Sequence, residues 1–164
     1  RGYRHIPREV HHQWIWAHHK EENTLQNYAW IDFRKVLFKK KKISHNEISC
    51  LRVIKEFQDH VDLRASYEKF EEFCCIDKDL EYWQSFSTWR VAPIILDVAS
   101  LEHGKPNWTD IDIESNYQLV EGHSRLGYFK SMVHILRNHN LEPKEEHQVW
   151  LMELSPEFLD ERLL

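Results

Sequence analysis

Glycine is scarce in this 164-residue chain, with only four in all, which excludes collagen-like and glycine-rich linker compositions. No apolar run approaches the roughly 18 residues of a membrane-spanning helix, so no contact with the membrane interior is expected. The N-terminus lacks the uninterrupted apolar segment of a secretory signal. Nothing repeats, and no low-complexity linker divides the chain. The three cysteines, Cys50, Cys74 and Cys75, are an odd set with one adjacent pair, a poor disulfide framework. They point to a reducing cytoplasm, with thiols expected to pack as small apolar groups. There is no basic excess either. A net charge of −5 argues against broad electrostatic binding to nucleic acid, which depends on many lysine and arginine contacts to phosphates.

What is present is the composition of a folded domain. The chain is 41% hydrophobic and 13% aromatic, enough to form a core without disulfides or metal, and its seven tryptophans are expected to fill that core. The one dense cationic run, Lys39 to Lys42, is expected in a solvated loop, with a local nucleic-acid patch as the alternative.

Coarse periodicity places the elements. Val10, Trp14 and Ala17 predict a helix over residues 8–20, carrying the pairs His11-His12 and His18-His19. Pairs seven apart share a helix face, but no cysteine or carboxylate cluster completes a metal-ligand set, so exposed or hydrogen-bonded histidines are expected. Residues 28–38 suit either period, and a strand is assigned over residues 30–36. Ser44-His45-Asn46-Glu47 is a capping box, and Ile48, Leu51, Ile54 and Phe57 extend one helix to about His60. Helices from Asp62, with Leu63, Tyr67, Phe70 and Phe73 inward, and over residues 77–87, with Leu80, Trp83 and Phe86 inward, complete a helical block. The turn at residues 60–62 has helix-turn-helix spacing, yet Glu68, Glu71 and Glu72 make a poor DNA surface, so helix packing is preferred. A polar connection with Asp110, Asp112 and Glu114 could act as a lid or partner loop. Ser155-Pro156-Glu157 predicts a short tail helix.

The most informative stretch is Tyr117-Gln118-Leu119-Val120-Glu121-Gly122-His123-Ser124-Arg125. Tyr117, Leu119 and Val120 predict a buried strand, and Leu126, Phe129, Val133 and Leu136 an amphipathic helix. Gly122 lies between them, where a residue without Cβ can take unusual φ and approach a ligand. The first helical N–H groups lack intrahelical partners and carry the positive end of the macrodipole, and Arg125 adds a cationic fork suited to phosphate. Glu121 is a candidate base or metal contact and His123 a candidate general acid or base. The plainer readings are that Glu121 caps the helix or pairs with Arg125, and that His123 bonds a backbone carbonyl. Asp97 is a further candidate if the strand after Pro93 pairs beside the turn.

This segment resembles the ParB/sulfiredoxin-like superfamily, in which a strand runs into a Gly-x-x-Arg turn and then a helix. Trp89-Arg90-Val91-Ala92-Pro93-Ile94-Ile95-Leu96-Asp97 is similar to the family's helix end and Pro-Ile strand, and Val149-Trp150-Leu151-Met152 to its following strand. The resemblance covers residues 80–154. It implies an α+β fold, a small mixed sheet with flanking helices, as one domain: core at residues 28–43 and 78–154, helical insertion at 44–77, N-terminal helix at 1–27. It further implies that the backbone at Gly122 and the Arg125 side chain grip a nucleotide or other phosphorylated ligand, with Ser124 counted in the same binding turn. A nucleotide hydrolase or phosphotransferase would also need Mg2+, with Glu121 and His123 as the candidate catalytic residues. His123 stands where sulfiredoxin has its nucleophilic cysteine, which removes the sulfinic-acid reductase chemistry. The competing readings are a non-catalytic protein-interaction module of a mobile-element or defence system, and a ParB-like nuclease or DNA-binding protein.

Overall fold

Strand alternation builds the centre of the molecule. The computed structural model describes residues 4–101 and 115–154. Helices α1 (Arg8–Val10) and α2 (Trp16–His18), fused through a π-helical turn at His11–Ile15, lead to α3 (Glu22–Tyr28). Strand β1 (Val36–Ser44) is followed by α4 (His45–Ser49), α5 (Lys55–Ala65) and α6 (Asp77–Phe86). Strands β2 (Ile94–Asp97) and β3 (Tyr117–Glu121), helix α7 (His123–Asn138) and strand β4 (Glu146–Leu154) complete the order. The strands form one mixed sheet in the order β1-β4-β2-β3; only the β2–β4 pair is parallel. The architecture is α+β, with helices against both faces.

Successive strand residues point to opposite faces, so the sheet supports two cores. Ile95, Leu119, Val149 and Leu151 pack with Phe129 and Met132 of α7. Ile94, Leu96, Val120, Trp150 and Met152 pack with Val10, Trp14 and Tyr28 of the N-terminal helices. Ile94, Ile95 and Leu96 are all fully buried, as a strand covered on both faces must be. Trp14, Trp83, Trp89 and Trp150 are core residues, whereas Trp16 is exposed.

Helices α5 and α7 approach closely because Gly127 has no side chain. A Cβ there would lie 2.5 Å from the Arg64 Cβ and 2.7 Å from the Val61 carbonyl oxygen. Ser131 Oγ donates to the Arg64 carbonyl at 2.6 Å, adding a polar tie at the same crossing.

Several sequence expectations shift. The first strand is not residues 30–36 but Val36–Ser44, preceded by a 3-10 turn at Phe33–Lys35 that the Asp32 side chain caps. Lys39 to Lys42 therefore lie in a strand and not in a loop. Only an edge strand accommodates such a run, with lysines directed to both faces, and each has a local partner. Lys39, Lys40 and Lys42 pair with Glu153, Glu9 and Glu146, and Lys41 donates to the Tyr117 hydroxyl at 2.6 Å.

The Ser44–Glu47 capping box forms, with the Glu47 N–H donating to Ser44 Oγ at 3.2 Å. The helix it opens stops at Ser49, because Arg52 is drawn into backbone pairing with the edge of β3. The Arg52 N–H donates to the Tyr117 carbonyl at 3.1 Å, and the Leu119 N–H to the Arg52 carbonyl at 2.8 Å. The break thus falls before residue 55, and residues 60–62 lie inside α5, which removes the helix-turn-helix arrangement. Leu63 and Phe86 are exposed, not inward, while Phe73 and Trp83 are buried. Cys50 and Cys74 are exposed free thiols, contrary to the expected burial. The 110–114 connection and the tail helix fall outside the described residues. Among the described residues no helix is long and apolar enough to cross a membrane.

Candidate functional site

The strand-to-helix turn forms where the sequence places it. Gly122 has φ 108° and ψ 29°, in the left-handed region that residues with a Cβ rarely adopt. A Cβ at this position would also lie 2.7 Å from the Pro93 Cβ and 2.9 Å from Arg125 Nε, so close packing and conformation both require glycine. Because the N-cap is glycine, no side chain caps α7. Its first-turn amides keep their donor capacity, and its 16 residues align a full macrodipole behind them.

In front of this turn lies a cavity of about 400 Å3, within the size range of small-molecule sites. Its walls come from three parts of the chain. His18, Glu21, Thr24 and Tyr28 come from the N-terminal helices and their junction, Phe57 and His60 from α5, and residues 120–125 from the turn itself. All five site residues read from the sequence, Glu121, Gly122, His123, Ser124 and Arg125, line it.

Their roles differ. Arg125 does not reach freely into the cavity. Its Nη2 donates to Gln13 Oε1 at 2.8 Å and to Glu121 Oε1 at 3.4 Å, while its buried Nε has no partner. Glu121 takes the pairing alternative, held by Arg125 on one oxygen and by His18 Nε2, at 3.4 Å, on the other. His18 also contacts Glu21 through Nδ1 at 2.8 Å. Burial raises the Glu121 pKa, opposed by Arg125 and His18.

His123 is buried with its ring 4.3 Å from that of Phe57, and its Nε2 has no hydrogen-bond partner. Burial, reinforced by His60, Arg125 and His18, lowers its pKa to about 3. At neutral pH it is a neutral imidazole, equipped to hydrogen-bond a ligand but not to deliver a proton as an imidazolium. Ser124 Oγ and His60 Nε2 share a hydrogen bond of 2.8 Å. Burial, with Arg64 nearby, lowers the His60 pKa, so its base form predominates at neutral pH.

The donor set does not suit a hard cation. Mg2+ takes several oxygen ligands in near-octahedral array, whereas the Glu121 oxygens are engaged by Arg125 and His18. Among the described residues no cluster of three or more histidine, cysteine or acidic side chains is placed to bind a metal. Asp97 is no help, because the antiparallel β2–β3 pairing sets it opposite Tyr117, at the far end from Glu121. Its carboxylate instead accepts from the Ala99 N–H at 3.0 Å.

Sequence reasoning missed His18, His60, Tyr28, Phe57 and Gln13 as parts of this site. The only signal among them was the His18-His19 pair, whose facing could not be assigned to the turn. Among known proteins, no family model, no curated protein and no solved structure matches this chain.

Proposed function

We propose that the cavity binds the phosphate of a nucleotide or another phosphorylated ligand, at the turn where the ParB/sulfiredoxin-like resemblance implies it. The observation that carries this reading is a cavity that opens onto a helix start with no side-chain cap and is lined by His123, whose Nε2 is buried without a partner. The first-turn amides are the free donors there, beside the Ser124 hydroxyl that shares a hydrogen bond with His60. The Tyr28 and Phe57 rings give the same cavity an apolar side, suited to a base or other planar group. Glu121 and Glu21 oppose an anion, and Arg125 offsets Glu121 in place.

The helix end contributes about 0.3–1 kcal/mol to anion binding and each charge-assisted hydrogen bond about 1.5–3 kcal/mol. Useful affinity therefore requires contacts to the rest of the ligand as well as to phosphate. The test is thermal unfolding in the presence of inorganic phosphate, nucleoside phosphates and nucleoside phosphates with Mg2+. A Tm that climbs with ligand concentration supports the reading. Ser124→Asp should cancel that rise while folding normally, since a carboxylate in the first helical turn satisfies the same dipole. An unchanged Tm at saturating nucleotide and phosphate rejects the reading in favour of an interaction module.

A further inference from the structure

The hydrogen bond between Ser124 and His60 joins two helices distant in sequence and lies on the wall of the cavity. It is not needed to tie those helices together, because the Gly127 approach and the Ser131 bond to the Arg64 carbonyl already do so. We infer that Ser124 is a nucleophile and His60 its general base, acting on a phosphate ester bound in the cavity; this rests on the phosphate-binding reading above.

The geometry meets the first requirement for an activated serine, contact between nucleophile and base. Nucleophile and base are within hydrogen-bond reach at 2.8 Å. In the tautomer with a proton on Nδ1, the Ser124 hydroxyl donates to His60 Nε2, the direction in which the proton must move. Ser124 stands in the first turn of α7, where main-chain amides face charge that develops on the phosphoryl oxygens. His123 lines the same cavity, with its Nε2 buried and unpartnered.

The step balances without an added redox partner. Ser124 Oγ forms a bond to phosphorus as the ester P–O bond breaks. The hydroxyl proton passes to His60 Nε2 and then to the departing alkoxide, which leaves as an alcohol. Water, activated by the same imidazole, attacks the phosphoserine, restores the Ser124 hydroxyl and releases the phosphate product.

Incubation with bis(p-nitrophenyl) phosphate tests the assignment. The expected result is release of p-nitrophenol with an intact-mass adduct that maps to Ser124 after acid quench. Ser124→Ala should abolish both. His60→Ala should slow release by about 100-fold or more and recover part of the rate with added imidazole, a rescue that a purely structural histidine would not show. Turnover that survives in Ser124→Ala, or a loss in His60→Ala that imidazole does not restore, overturns the assignment. If wild-type protein is stabilised by inorganic phosphate yet neither releases nitrophenol nor forms the adduct, the nucleophile is rejected and the binding reading stands. If phosphate fails to stabilise it as well, both fall.

Discussion

Gly122 and Arg125 occupy one space: the guanidinium folds back across the glycine so that a Cβ there would come within 2.9 Å of Nε. The turn that creates the helix start thus also holds the guanidinium in the cavity wall, tied to Gln13 and Glu121. Ligand chemistry at this site falls to the amides, Ser124 and the histidines first, with Arg125 fixing the carboxylate of Glu121 beneath them.

Gly122→Ala should therefore destabilise the fold by about 1–3 kcal/mol, the cost of a non-glycine residue in a rarely adopted backbone region, with the Pro93 contact adding to it. Urea unfolding gives the difference directly. A midpoint equal to wild type would show that the turn relaxes to a negative φ.

Arg125 and Glu121 should be coupled. Their side chains are 21% and 20% exposed, so neither charge is fully screened by water. Removing one partner of a fully buried pair costs about 3–5 kcal/mol, and the residual exposure and 3.4 Å separation place each single variant at about 1–3 kcal/mol. Arg125→Met and Glu121→Gln together should cost less than the sum of the two, as read from a double-mutant cycle of unfolding free energies. Strict additivity would mean that the pair does not interact.

Gly127→Ala should destabilise although alanine is the better helix former. Helix propensity favours the change by about 1 kcal/mol, but the new methyl would meet Arg64 Cβ at 2.5 Å and a backbone oxygen at 2.7 Å. Overpacking of this kind costs about 1–3 kcal/mol. A lowered Tm is expected, and a raised one would show that α5 and α7 can separate freely.

Acid should weaken the fold below neutral pH. His123 and His147 are buried, and burial depresses their pKa values to about 3 and about 4. The unfolded chain takes up protons on these rings first as the pH falls through the ordinary histidine value. Stability is then lost at up to about 1.4 kcal/mol per pH unit for each ring until the folded pKa is reached. Glu121, whose pKa is raised, acts in the opposite sense. Urea midpoints measured from about pH 7 to about pH 5 should fall, and His123→Gln should flatten that fall. A pH-independent midpoint in the wild-type protein would exclude buried neutral histidines.

Much of the site's local structure was legible because it is written in neighbouring residues. The Ser44–Glu47 box, the strand at Tyr117, the glycine at the turn and the apolar stripe of α7 each depend on contacts within a few positions. The lysine run misled because its side chains suggest solvent, while the strand that carries it is set by Val36 and Phe38 packing inward and by nine residues of register with β4. The helix break near residue 52 was equally hidden, since its cause is a hydrogen bond to Tyr117, far along the chain.

The sequence by itself determined that a strand ends at Glu121, that the chain reverses at Gly122 and that a helix begins with His123, because φ freedom, apolar period and helix-start chemistry are local properties. Only the tertiary structure decided what that helix start faces. Packing on opposite sheet faces brings α2, α3 and α5 to one cavity, pairs Arg125 with Glu121 and sets His60 against Ser124, and such placements follow from long-range burial, which no short stretch of residues encodes.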